Sequence, residues 1–112
     1  MKNREVDIFG TKYSIIYANK VTDVKEQEHA MDNCNEGEVI WGITDHDTKQ
    51  IVVSTKNNLG KPRDKDDMER TLYHELMHAI LVSGQYLNPN NDEPLVEWLA
   101  RCIYSLKQQK IL

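Results

Sequence analysis

The 112-residue chain has little of several things: one phenylalanine, two cysteines, three prolines and five glycines. No apolar run approaches the roughly 18 residues of a membrane span, so no membrane partner is expected. The first residues, Met1-Lys2-Asn3-Arg4-Glu5-Val6-Asp7, lack the apolar stretch of a signal peptide, and a cytoplasmic location is expected. Cys34 and Cys102 stand far apart with no CxxC spacing, which argues for two free, reduced thiols rather than a disulfide or a thiolate metal site. A basic surplus is also missing. The formal net charge is −4, and the fourteen Lys and Arg are scattered, which speaks against a protein that tracks nucleic-acid phosphates.

What is present fits one globular domain over 1–112, with a thin core that cannot bury polar groups without partners. Alternating apolar residues predict strands over 6–9 and 12–17, joined at Gly10-Thr11 as a tight hairpin. The polar stretch 19–36 reads as a loop holding a short helical turn near 24–31. Strands over 38–44 and 50–55 follow, separated by the turn-like Asp45-His46-Asp47-Thr48. Helical patterning begins after Pro62. A helix is predicted over 64–83, with acids in its first turn and Gly84 as a left-handed cap. Beyond a loop at 86–91, Asp92 caps a second helix running to about 109, with Pro94 in its first turn. The expected architecture is α+β: a small antiparallel sheet of three or four strands, then the two helices.

The chemistry is concentrated in His74-Glu75-Leu76-Met77-His78, an HExxH pattern. Histidines at i and i+4 differ by only about 40° around a helix axis, so both imidazoles can reach one ion while the intervening glutamate addresses a water on it. Leu72, Tyr73, Ala79, Ile80, Leu81 and Val82 flank the motif. Two imidazoles and a carboxylate on so apolar a helix are costly without a cation, which points to zinc, one ion per chain. Zinc needs a third protein ligand, and Glu93 and Glu97 are the candidates. They share a face with Ala100 and Tyr104, and the small Ala100 allows close approach to the motif helix.

The HExxH helix followed by Glu93-Pro94-Leu95-Val96-Glu97-Trp98-Leu99-Ala100 resembles the gluzincin layout of thermolysin-like peptidases and of ImmA/IrrE-type metallopeptidases. Arg70-Thr71-Leu72-Tyr73 before the motif, and Gly42-Ile43-Thr44-Asp45 with Gln50-Ile51-Val52-Val53, look closer still to short phage and prophage HExxH proteins. The likeness covers roughly residues 38–108, and its specific part is the two helices. It implies zinc held by His74, His78 and Glu93, with Glu97 on the outer nitrogen of His74 and remaining the alternative ligand. It also implies an oxyanion stabiliser, for which Tyr104, Tyr86 and His46 are candidates.

The resulting expectation is a minimal zinc-dependent peptidase acting on a protein or peptide, with Glu75 as general base. The strand over 51–55 is the candidate sheet edge for an extended peptide. The alternative is a catalytically idle, zinc-stabilised binding or regulatory module. The other residues of note read as structural: His46 in a solvated turn, His29 exposed, Trp41 and Trp98 packed in the core or on the sheet rather than serving as substrate platforms.

Overall fold

The computed structural model describes residues 2–32 and 40–112. It is α+β, with four strands and three helices. The strands are β1 (Arg4–Ile8), β2 (Thr11–Ala18), β3 (Gly42–Asp45) and β4 (Gln50–Ser54). The helices are α1 (Lys65–Ser83), the one-turn α2 (Leu87–Asn90) where a plain loop was expected, and α3 (Glu93–Gln108). Two 3-10 turns, Val21–Asp23 and Lys25–Gln27, occupy the segment after β2. The expected strand residues Glu38 and Val39, and Cys34, lie outside the described residues; Cys102 is a free thiol. No helix among the described residues is long and apolar enough to cross a membrane.

The sheet order is β1-β2-β4-β3. Both hairpins, β1-β2 and β3-β4, are antiparallel as anticipated, but β2 pairs with β4 in parallel. The sheet is therefore mixed, and the wholly antiparallel expectation is corrected. A second correction follows from this order. The stretch 51–55, expected at an edge, falls largely in β4, which is flanked on both sides. Its Ile51-Val52-Val53 run is completely buried, and such an unbroken apolar run is the pattern of a strand covered on both faces. β3 is the edge.

Alternation along the strands divides the core. Ile51 and Val53 join Tyr13, Ile15, Leu72 and Ala79 on the side facing α1. On the opposite side, Gln27 donates from Nε2 to Asp45 Oδ2 at 2.9 Å and to Gln50 Oε1 at 3.0 Å, tying the 3-10 segment to the sheet. α3 lies antiparallel on α1, with Val96 and Ala100 buried.

Local chemistry accounts for the turns and caps, with two shifts from expectation. The first hairpin turns at Phe9-Gly10, not Gly10-Thr11; both residues have positive φ, 50° and 91°, and Asp7 Oδ1 accepts from Gly10 N at 2.7 Å. Positive φ at both central positions is what a tight two-residue hairpin turn needs. At the end of α1, Gly84 has φ −89°, and the left-handed residue is Gln85 at φ 62°. A Cβ on Gly84 would lie 2.8 Å from the ring of Tyr86, an exposed side chain that would have to swing aside. The caps Asp64 and Asp92 accept from Asp67 N and Leu95 N, respectively.

Candidate metal centre

α1 carries His74, Glu75 and His78 between the sheet and α3. The first turn of α3 brings Glu93 over both imidazoles. His74 Nε2 lies 2.9 Å from Glu93 Oε2, and His78 Nε2 lies 3.0 Å from Glu93 Oε1. One ligand atom from each of the three residues falls within 4.8 Å of the others, so the group could hold a metal ion. Ligands on a tetrahedral ion with bonds of 2.0–2.2 Å stand about 3.3 Å apart; the two His–Glu93 contacts, each to a different carboxylate oxygen, are somewhat shorter than this. Two nitrogens and a carboxylate oxygen also suit a borderline-soft divalent ion.

The outer nitrogens determine which ring nitrogens can bind. Glu97 Oε2 lies 3.1 Å from His74 Nδ1, and Asn90 Oδ1 lies 2.9 Å from His78 Nδ1. A carboxylate and an amide oxygen can only accept, so each Nδ1 carries a proton, which leaves Nε2 as the nitrogen of each ring that could give its lone pair to an ion shared with Glu93. Glu97 therefore sits on the outer side of His74, with Glu93 on the inner side. Asn90 was not singled out from the sequence. It belongs to α2, whose single turn after Tyr86 swings its side chain back onto α1.

Glu75 projects from the other side of the motif into the junction with β3 and is 8% exposed. Thr44 Oγ1 lies 2.8 Å from its Oε1. Burial pushes the Glu75 carboxyl above its ordinary range; the Thr44 hydrogen bond and the two histidines pull against that, and Glu93 adds to it. Glycine makes the junction tight. A Cβ on Gly42 would stand 2.7 Å from Thr71 Cγ2 and 3.1 Å from Glu75 Cγ. Neither Thr44 nor Gly42 was picked out as a site residue, although a glycine inside a strand pattern is itself a signal of close backbone approach.

An open cleft of about 870 Å³ runs over this group, bordered by β3, α1, Asn90, Glu93 and Glu97. Trp41 stands on its rim, 40% exposed, and Trp98 is 62% exposed on α3, so neither is the core residue expected. An amphipathic pattern counts both as apolar, yet Trp41 instead caps the guanidinium of Arg63, 4.8 Å from its ring. Arg63 itself is buried, donating to Ser54 O at 2.8 Å, Thr71 Oγ1 at 2.6 Å and Asp67 Oδ2 at 2.9 Å.

The three candidates for oxyanion stabiliser separate. Tyr104 packs on Tyr73 with ring centroids 6.0 Å apart and lies under Arg70, toward the start of α1 and outside the cleft lining. Tyr86 is exposed beyond the end of α1 and likewise outside it. His46 borders the cleft and is half-buried rather than free in a solvated turn. His29 is exposed, as anticipated.

Comparison of the chain with protein-family models, with curated proteins and with solved structures returned no match.

Proposed function

We propose that the chain is a zinc-dependent peptidase, with His74, His78 and Glu93 as the metal ligands and Glu75 as the general base. The observation that carries this reading is the convergence of two imidazole Nε2 atoms on one carboxylate, beside a buried glutamate that opens to the same cleft. Zinc bound there supplies a Lewis acid and lowers the pKa of its water toward neutrality.

The chain's own groups do the rest. Glu97 and Asn90 hold the histidine rings by their outer nitrogens. Glu75 takes a proton from the attacking water and returns it to the amine that leaves as the peptide C–N bond breaks. Burial raises its carboxyl toward the working pH, which favours both halves of that transfer. Among the described residues no strand pairs with the outer edge of β3, which runs along the cleft, and an extended peptide can add there by main-chain hydrogen bonds. This role replaces the one expected of 51–55.

The test is Glu75→Gln. It should keep the fold and one zinc per chain yet abolish cleavage, because it removes the proton acceptor and leaves every proposed ligand in place. The same variant serves as a trap: proteins it captures should be cut by zinc-loaded wild type. Captured proteins that stay intact would favour the idle binding module.

A further inference from the structure

We propose that Arg70 selects the peptide that enters the cleft: its guanidinium pairs with a carboxylate carried about two residues after the bond to be cut, on an acidic side chain or at the peptide's C-terminus. This rests on the peptidase reading above and names the class of substrate the site takes.

Among the described residues, the cleft is lined by four acids and a single Lys or Arg side chain, Arg70. Each acid already has a partner. Arg63 Nε holds Asp67 Oδ2 at 2.9 Å, Thr44 Oγ1 meets Glu75 Oε1 at 2.8 Å, and the motif histidines engage Glu93 and Glu97. Arg70 is exposed and makes no hydrogen bond or ion pair with any described residue. Its guanidinium carbon lies 5.9 Å from the centre of the Tyr104 ring, a contact that steadies the group without neutralising it. Its planar fork of N–H donors stays available and matches a carboxylate in two-point contact.

Arg70 also stands at a suitable place along the helix. Arg70, His74 and His78 follow one another in four-residue steps, about 40° apart around α1, so they form one stripe. One such step is about 6 Å of helix axis, and an extended peptide advances about 3.4 Å per residue, which puts Arg70 about two peptide residues from His74. β3 sets the sense. A Cβ on Gly42 would meet Thr71, and Thr44 meets Glu75, so β3 runs along the cleft in the same direction as α1. A peptide that adds to its outer edge in the more stable antiparallel sense runs the other way, and its C-terminal part reaches Arg70. With a formal net charge of −4 the chain does not attract acidic peptides at long range, so the preference belongs to this one position.

The experiment measures calorimetric binding of four phosphinic peptides, acetylated at the N-terminus, to zinc-loaded protein; the phosphinate anchors at the ion and fixes which residue follows the cleaved position. The first is neutral, with Ala and then a Gln amide after the phosphinate. The second has Glu in place of that Gln, the third keeps Gln but ends in a free carboxylate, and the fourth is the neutral peptide with a Glu two residues before the phosphinate. Wild type should bind the second or the third about fivefold more tightly than the first, and the fourth no more tightly than the first. The second against the third tells a side chain from a C-terminus. Arg70→Gln should erase the gain, and Arg70→Glu should turn it into a preference for Lys at the same place, a reversal that a merely structural role would not produce. Equal binding of the first three peptides by wild type, a gain that survives Arg70→Gln, or an equal gain from the fourth peptide would overturn the proposal. The wild-type comparison needs no variant to fold. Failure of all four to bind would count against the peptidase reading and this inference together, whereas binding without preference would remove this inference alone.

Discussion

Thr44 Oγ1 lies 2.8 Å from Glu75 Oε1 and 2.8 Å from the Glu75 carbonyl oxygen, so one hydroxyl on the edge strand meets both the side chain and the backbone of the motif glutamate. The contact joins β3 to α1 in the lining of the cleft. It also means that the carboxyl keeps a single described hydrogen-bond donor in a buried setting.

A pH dependence follows from this setting. Because the folded carboxyl is raised, the folded chain holds a proton that the unfolded chain releases above about pH 4.3, the ordinary glutamate value. Stability from this group is therefore fully present below that pH and is lost as pH rises toward the folded pKa. In chelator-treated protein, the Tm of Glu75→Gln minus that of wild type should grow with pH across this window. Thr44→Val should move the Glu75 carboxyl further up, measured by ¹³C NMR titration. A difference in Tm independent of pH would contradict the assignment.

Metal affinity should follow the order of contact. His74→Ala and Glu93→Gln should each remove a ligand and lose more zinc affinity than Glu97→Gln or Asn90→Leu. The latter two should each cost about 10- to 100-fold, because they release only an outer ring nitrogen. Competition with a chromogenic chelator measures all four. Zinc at 100 times its Kd should stabilise wild type by about 2.7 kcal/mol, and a chelator should reverse the gain.

Gly42→Ala should force β3 away from α1, since the new methyl meets Thr71 and Glu75 at less than contact distance. A cost of about 1–3 kcal/mol is expected in denaturant unfolding, typical of an overpacked junction. The change should also weaken the Thr44 contact, visible as a further upward shift of the Glu75 carboxyl.

Gln85→Gly should stabilise the protein by about 1 kcal/mol, because a residue with a Cβ now sits at φ 62°. Gly84→Ala, at an ordinary φ of −89°, should change the Tm little, because the exposed Tyr86 ring can swing aside. The contrast between the two Tm shifts checks which residue turns the chain.

Much of the C-terminal half was legible in the sequence. Helical spacing placed His74 and His78 on one face and Glu93 with Glu97 on another, and the aspartate caps marked where those faces begin. Those are short-range relationships, expressed within a few residues of each other. Asn90 and Thr44 escaped notice because their role exists only once separate elements meet, and neither residue type signals a site by itself. The pairing of β2 with β4 escaped for the same reason, although the uninterrupted Ile51-Val52-Val53 pointed to a central strand. Trp41 and Trp98 were misplaced because hydrophobicity alone does not distinguish a core indole from one stacked on a guanidinium at a rim.

The parallel seam in the sheet has a consequence for how the molecule is assembled. Each hairpin closes over a few residues, but Ser14 must find Gln50 for the seam to form, and closing so long a loop carries an entropic cost that short-range contacts avoid. His74 and Glu93 are only 19 positions apart, on α1 and α3 with the one-turn α2 between them, whereas Thr44 and Glu75 are 31 apart and span strand and helix. The His74–His78–Glu93 group, which could hold an ion, thus belongs to a local helical unit that can form early, and the Thr44–Glu75 contact is completed only when the sheet docks. A cation captured by the early unit would pin α1 to α3 before that docking and so act as a folding template.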